Sequence, residues 1–210
     1  MIERIASKLG RNDEVPNVEL AEYLYQQNDI DGISEIVGGF KCDNKAVAND
    51  CIKVLYEVGE RNPNLISAYA DDFISFLHSK NNRLAWGSMT ALAKIAGVAP
   101  EPIFNKLPLI ISAYERGSVI TVDNSISVFA KLCQANDKYE ERALPILLKH
   151  LQTCKPKEVA QHAERASVCF NKNNAKEFIE VLENRVSYLN PSQQTRINKL
   201  LKKLRGLQSY

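Results

Sequence analysis

Residues 107–132 of the chain, LPLIISAYERGSVITVDNSISVFAKL, carry the pattern of two helices joined by a short turn. The first half places Leu107, Ile110 and Tyr114 at offsets 0, 3 and 7, which puts their side chains on one face of a helix. A Gly-Ser pair then interrupts the pattern, and a second stripe of apolar residues follows it. The stretch therefore predicts a complete helix–turn–helix unit.

Weaker copies of this unit recur along the chain with a period near 37 residues. Residues 143–148 (ALPILL) repeat the pattern of residues 106–111 (KLPLII) 37 positions later, and residues 70–77 have the same apolar rhythm. The second helices recur at offsets of 38, 36 and 38, with matching positions at Val54, Leu92, Val128 and Ala166. One hairpin alone buries too little apolar surface to offset its loss of backbone entropy, roughly 1–2 kcal/mol per residue. The repeat therefore predicts hairpins that stack and cover one another's apolar flanks.

The unit resembles a HEAT repeat, in which a first helix opening with Leu-Pro is joined by a turn to a second helix with small and aliphatic core positions. The resemblance covers roughly residues 29–191 and implies an all-α fold, a right-handed α-solenoid of about five HEAT-like helical hairpins with terminal capping helices. We therefore expect a single repeat domain, residues 1–210. Its parts are N-terminal cap helices in 1–28, with a short helix over 2–9, repeats in 29–191, and a C-terminal cap helix in 192–207.

Composition limits the classes of protein to which such a chain can belong. Apolar residues make up 45% of the sequence, enough for a continuous core, and no apolar run approaches the length needed to span a membrane. The polar N-terminal sequence does not have the pattern of a signal peptide. The five cysteines form an odd set without paired spacing, which is typical of buried free thiols in a reducing compartment. We expect a soluble, cytoplasmic protein.

Motifs that carry chemistry are absent from the sequence: it has no Gly-rich phosphate loop, nucleophile elbow, HExxH or CxxC. His150 and Cys154 lie four residues apart, and His162 and Cys169 follow. These residue types bind zinc, but their spacing is not that of a known compact site. The sequence therefore predicts no catalytic residue, no metal site and no cofactor, and it favours a protein that is not an enzyme.

The resemblance implies that the second helices line a concave face on which such solenoids bind their partners. The candidate binding residues on that face are Lys53, Trp86, Lys94, Lys131 and Arg165. Together they predict a polar, mildly basic strip. The single tryptophan occupies a position where the other repeats have smaller residues, so it either protrudes as a binding anchor or fills a gap between repeats.

Charge is distributed unevenly along the chain. Residues 1–60 contain twelve acidic and six basic residues, a net charge of −6, whereas residues 192–210 contain five basic residues and no acidic residue. The whole chain carries only +2. The basic C-terminal helix is either the solvated face of a cap or a site for an anionic partner.

Three functions are compatible with these features. The leading hypothesis is a non-enzymatic scaffold that binds a protein or peptide on its concave face, because repeats are present and a catalytic constellation is not. The alternative is nucleic-acid binding, as in HEAT-like DNA alkylation-repair proteins, which would require steep salt dependence of affinity. A third hypothesis is a HEAT-like phycobilin lyase or related protein-modification factor, for which the sequence has no specific feature. The oligomeric state stays open.

Overall fold

The computed structural model describes residues 1–208, and this part of the chain is helical, without strands. The prediction of an all-α fold is confirmed. Its α-helices are α1 (Val15–Gln27), α2 (Ile30–Phe40), α3 (Lys45–Arg61), α4 (Ala70–Ser75), α5 (Asn82–Ile95), α6 (Pro100–Asn105), α7 (Leu107–Arg116), α8 (Val119–Ala135), α9 (Asp137–Thr153), α10 (Pro156–Ala166), α11 (Ala175–Val186) and α12 (Pro191–Gln208). Within the described residues, none of these helices is long and apolar enough to cross a membrane.

The helices group into two compact units, Met1–Ser125 and Ile126–Tyr210, and the boundary falls within α8. The single repeat domain expected from the sequence stays a prediction.

Helices α3, α5, α8 and α10 begin at intervals of 37 residues, at positions 45, 82, 119 and 156. The residues directly before them share this interval, and three of these four act as N-terminal caps, whereas Lys155 before α10 makes no side-chain cap hydrogen bond. Asn44 and Asn81 accept hydrogen bonds from backbone N–H groups in the first turn, and Ser118 accepts one from Thr121 at 3.3 Å. Such caps satisfy the amide groups that have no partner within the helix. The period seen in the sequence is therefore a period of helix starts.

The first helices of the hairpins are less regular than the second ones. Residues 63–75 form two 3-10 turns followed by the short helix α4, and residues 100–116 form α6 and α7 with a break at Lys106. The corresponding stretch one period later is the continuous helix α9. Pro100 and Pro102 lie in the first turn of α6, where a missing N–H has no cost. Sequence analysis did not predict α6.

The N-terminal segment also differs from its prediction. The expected helix over residues 2–9 is wrong: only Ile2–Arg4 form a 3-10 helix, and turns follow. Hydrogen bonds to side chains of α1 and α3 hold this segment in place instead. Asn17, which is fully buried, accepts a hydrogen bond from the backbone N–H of Ala6 at 2.9 Å, and Asp50 accepts one from the backbone N–H of Ser7 at 2.7 Å.

In the first unit, α3 packs against α1, α2 and α5, while α5 also contacts α4. The core is apolar and includes an aromatic cluster. Phe40 lies 5.9 Å from Phe73 and 4.5 Å from Phe76, ring centre to ring centre. In the second unit, α9 packs against α11, and α12 packs against both α10 and α11. In both units, therefore, helices that alternate along the chain are neighbours in space.

Candidate functional site

The five predicted binding residues lie in both units. Lys53 on α3, Trp86 on α5 and Lys94 on α5 belong to the first unit, whereas Lys131 on α8 and Arg165 on α10 belong to the second. The first-unit residues occupy the surface where α1, α3 and α5 lie side by side. Several contacts connect the side chains on this surface.

A line of alternating charges crosses this surface. We call it the ion-pair row, and its members are Arg83, Glu14, Lys53, Glu57, Arg61 and Glu22. Neighbours in the row are joined by salt bridges. The Nζ atom of Lys53 lies 3.1 Å from Glu14 and 2.7 Å from Glu57, and Arg61 contacts Glu57 at 2.9 Å. Three carboxylates balance three cations, so the row has no net charge.

The row shifts the pKa values of its own members. Burial by itself lowers the pKa of Lys53, but the hydrogen bonds to Glu57 and Glu14 outweigh burial and raise it above its usual value. Burial by itself raises the pKa of Glu57, but hydrogen bonds from Lys53 and Arg61 outweigh burial and lower it. The pKa of Glu14 is lowered for the same reason, by Lys53 and Arg83. These shifts favour the charged forms of Lys53, Glu57 and Glu14.

Two aromatic rings lie beside the row. Trp86 is half-buried, and its ring centre is 6.0 Å from that of Tyr56. Each ring has a cation near its face: Lys53 lies 4.9 Å from the Tyr56 centroid, and Arg83 lies 5.7 Å from the Trp86 centroid. Such cation–π contacts contribute roughly 0.5–1 kcal/mol at exposed sites. Trp86 thus packs against its neighbouring helix and also keeps part of its surface in contact with solvent.

The predicted basic character of the strip is wrong in the first unit. Lys53 is paired with two carboxylates, and Lys94 forms a salt bridge with Glu60. The sequence pattern did not indicate Glu14, the N-cap residue of α1, or Glu22 on α1 as members of the row. The signal was the excess of acids in residues 1–60, although that excess did not indicate which acid would meet which cation.

A polar pocket of about 260 Å³ adjoins the end of the row at Glu14 and Arg83. It is also lined by Ser7, Asn49 and Asp50. The Oγ atom of Ser7 and the Nε atom of Arg83 are buried and have no hydrogen-bond partner in the protein. Asp50 accepts one hydrogen bond from the Ser7 backbone N–H at 2.7 Å and another from the Asn17 side-chain amide at 2.8 Å. Nothing in the sequence pattern had indicated this pocket.

In the second unit, Arg165 donates a hydrogen bond from Nη1 to Ser127 Oγ at 2.9 Å, which connects α10 to α8. Lys131 lies one turn farther along α8. Arg165 therefore has a structural contact of its own. The second unit also has an aromatic pair, Phe170 and Phe178, whose ring centres are 4.5 Å apart, and Lys203 lies 5.7 Å from the Phe170 ring centre.

The structure brings together three of the four residues whose types had suggested zinc. One ligand atom from each of His150, Cys154 and His162 lies within 4.8 Å of the others. Cys169 is not part of this group; it donates to the Ala166 carbonyl at 3.1 Å. A hydrogen bond with Cys169, together with burial, raises the pKa of the Cys133 thiol.

The basic helix α12 packs an apolar face against α10 and α11. Ile197, Leu201 and Leu204 are buried. Two of its arginines are paired with acids of the preceding helices, Arg196 with Glu164 and Arg205 with Glu183. Two of the five positive charges of α12 are thus balanced locally, which favours the solvated-cap interpretation over an anion site.

Comparisons with known proteins give a fold but no family. No protein-family model matches the chain, and no curated protein matches it. Among solved structures, the chain is similar to two engineered proteins from the Northeast Structural Genomics Consortium. The first is 15% identical with a TM-score of 0.64, and the match covers 98% of this chain and 96% of that one. The second is 16% identical with a TM-score of 0.64, covering 97% of this chain and 58% of the other.

Proposed function

We propose that this protein is a non-enzymatic scaffold of HEAT-like hairpins, arranged as a right-handed solenoid, that binds a protein or peptide partner. The 37-residue interval between the starts of second helices supports a repeat architecture. So does the packing within each unit, where alternate helices are neighbours, as expected when successive hairpins lie side by side. The binding surface of the proposal is the ion-pair row with Tyr56 and Trp86.

The observation that carries the proposal is the aromatic pair beside a row of balanced charges. Tryptophan, tyrosine and arginine are the residues most enriched at the energetic centres of protein interfaces. Here Trp86, Tyr56 and Arg83 lie together on adjoining helices. Salt bridges hold the row in place, so little side-chain entropy is lost when a partner binds, and the cost of binding falls. A partner with an apolar or aromatic anchor flanked by both signs of charge would complement this surface.

A nucleic-acid partner fits this surface less well. Phosphate binding depends on lysine and arginine side chains that neutralise phosphates and release counterions. Each cation of the row already contacts a carboxylate, and Lys94 is paired with Glu60. A phosphate would have to displace a carboxylate held at hydrogen-bond distance, and the remaining acid would repel it.

The experiment tests Trp86 as the anchor of the surface; it is the only tryptophan in the sequence. Partners captured by proximity labelling are purified, and their affinity is measured by titration calorimetry for the wild type, Trp86→Ala and Tyr25→Ala. Tyr25 is a matched control, since it is an aromatic residue of the same unit and is 40% exposed. We expect Trp86→Ala to weaken binding by about tenfold or more, with Tyr25→Ala unchanged.

Equal affinity of the wild type and Trp86→Ala for a purified partner would contradict the proposed surface. The nucleic-acid alternative is tested in parallel by fluorescence anisotropy with duplex and single-stranded DNA at low salt. Tight binding whose affinity falls steeply with added salt would favour the alternative and overturn the protein-binding proposal.

A further inference from the structure

The end of α9 and the beginning of α10 place three metal-binding side chains around one point in the second unit. His150 lies in the last turn of α9, Cys154 directly follows the helix, and His162 lies on α10. The backbone N–H of Cys154 donates to the His150 carbonyl at 2.8 Å, which continues the helical turn and keeps the two side chains on one face. Pro156 begins α10, and the chain reverses so that His162 meets His150.

The two imidazoles are almost completely removed from solvent. His150 is 6% exposed and His162 is 1% exposed. Their Nε2 and Nδ1 atoms are 2.7 Å apart, and the ring centres are 4.7 Å apart. A hydrogen bond between the two imidazoles accounts for this distance in the absence of metal. The same two nitrogens point at one location, which is also what shared coordination of an ion requires.

We propose that His150, Cys154 and His162 bind one Zn²⁺ ion. Imidazole nitrogen and thiolate sulfur are the preferred zinc ligands, with bonds of roughly 2.0–2.1 and 2.3 Å. Tetrahedral geometry with those bond lengths separates neighbouring ligand atoms by about 3.3–3.6 Å. The three ligand atoms lie within 4.8 Å of one another, so the histidine nitrogens must move apart by about 0.6 Å and the sulfur must move closer by at most about 1.3 Å.

Binding involves loss of one proton from the site. Burial raises the pKa of the Cys154 thiol to about 11, while the charge of Arg185 acts in the opposite direction. The thiol therefore carries its proton at neutral pH without metal. When Zn²⁺ binds, the S–H proton leaves to solvent, a zinc–sulfur bond forms, and the hydrogen bond between the imidazoles breaks. Binding of the dication with loss of this one proton raises the net charge of the site by one.

The site is open on its thiol side. Cys154 also lines a pocket of about 600 Å³ between the end of α9, the start of α10 and α11. Arg185 on α11 donates from Nη2 to the Cys154 carbonyl at 2.5 Å and also donates to the Gln152 carbonyl, which fixes the backbone at this position. Zinc can enter through the pocket. With three protein ligands, the fourth coordination position faces the pocket and takes a water molecule, as in zinc sites that are not purely structural.

The test uses the full chain, freed of metal with a chelator under reducing conditions. Zn²⁺ affinity is measured by competition with a chromophoric chelator, stoichiometry by native mass spectrometry, and ligand identity by Co²⁺ substitution. We expect one ion per chain and a cobalt spectrum with tetrahedral ligand-field bands and a thiolate charge-transfer band. Cys154→Ser should remove the charge-transfer band and weaken zinc binding by about 100-fold or more, since even indirect supporting changes cost about 10–100-fold.

Two further variants keep the result interpretable. Cys42→Ser, at an exposed cysteine of the first unit, should bind zinc like the wild type, and so should Cys169→Ser if the buried pair Cys133 and Cys169 is not the site. Circular dichroism of the metal-free variants shows that they are folded. The proposal is overturned if the wild type binds no zinc, if Cys154→Ser binds as tightly as the wild type, or if Cu⁺ binds where Zn²⁺ does not.

Discussion

Gly87 on α5 lies close to Ile52 on α3, and this close approach allows a sharp test of the packing. A Cβ atom at this position would lie 2.8 Å from Cγ1 and 3.2 Å from Cγ2 of Ile52 on α3. Ile52 is fully buried, and these atoms are attached directly to its Cβ, so they cannot rotate away without disturbing the core. Gly87→Ala therefore forces the two helices apart.

The magnitude follows from two opposing effects. Replacing glycine by alanine inside a helix stabilises it by about 1 kcal/mol. Forcing an extra carbon into a packed core costs about 1–3 kcal/mol. With contacts this short on two branches of one side chain, we expect the steric cost to exceed the propensity gain, and Gly87→Ala to lower the free energy of unfolding by about 1 kcal/mol.

A second substitution, Ile52→Ala, should reverse the sign of the stability change that Gly87→Ala causes. Ile52→Ala removes both atoms that the new Cβ would meet and leaves the remaining Ile52 Cβ position at 3.6 Å, an ordinary contact. In that background, Gly87→Ala should stabilise the protein by about 1 kcal/mol, so the double-mutant cycle should show coupling of about 2 kcal/mol. Gly38→Ala is the control, because Gly38 lies in α2 with no atom within 4 Å of its ideal Cβ.

The assay is urea unfolding followed by circular dichroism and by the fluorescence of Trp86, the residue next to Gly87. Gly38→Ala should raise the free energy of unfolding by about 0.5–1 kcal/mol. If Gly87→Ala raises it by the same amount in the wild-type background, the contact between α3 and α5 does not limit packing and the reasoning is refuted.

Three further substitutions address other parts of the chain. Pro145 is an exposed proline inside α9, so Pro145→Ala, which restores a backbone hydrogen bond, should stabilise the protein by about 1–3 kcal/mol in thermal unfolding. Asn17→Ala leaves the Ala6 N–H and Asp50 without their buried partner and should cost about 1–3 kcal/mol, with faster hydrogen exchange in residues 5–10. The pKa of Glu57 is lower in the folded protein than its unfolded value of 4.5, so Glu57 contributes stability that is present above pH 4.5 and is lost as pH falls through the folded pKa. Glu57→Gln should therefore flatten the decline of the melting temperature in that acidic range. A decline as steep as that of the wild type would contradict the role given to Glu57.

The candidate binding residues show which features of the site could be predicted from the sequence. It selected Lys53 and Trp86, and the structure connects both to Tyr56. The sequence placed the lysines on a polar, mildly basic strip, and it did not indicate that Glu14 and Glu60 would pair with them. Periodicity assigns a residue to a helix face, but it does not say which residue of another helix lies opposite.

The same distinction separates what the sequence determined from what the tertiary structure decided. The all-helical fold, the 37-residue interval and the caps Asn44, Asn81 and Ser118 depend on contacts within a few residues, and these can be read from local patterns. The approach of His150 to His162 depends on how α9 and α10 pack, and the salt bridge between Arg83 and Glu14 joins residues 69 positions apart. Those contacts form only because burying apolar faces fixes the helices against one another, and that burial is a property of the assembled core and not of any local segment.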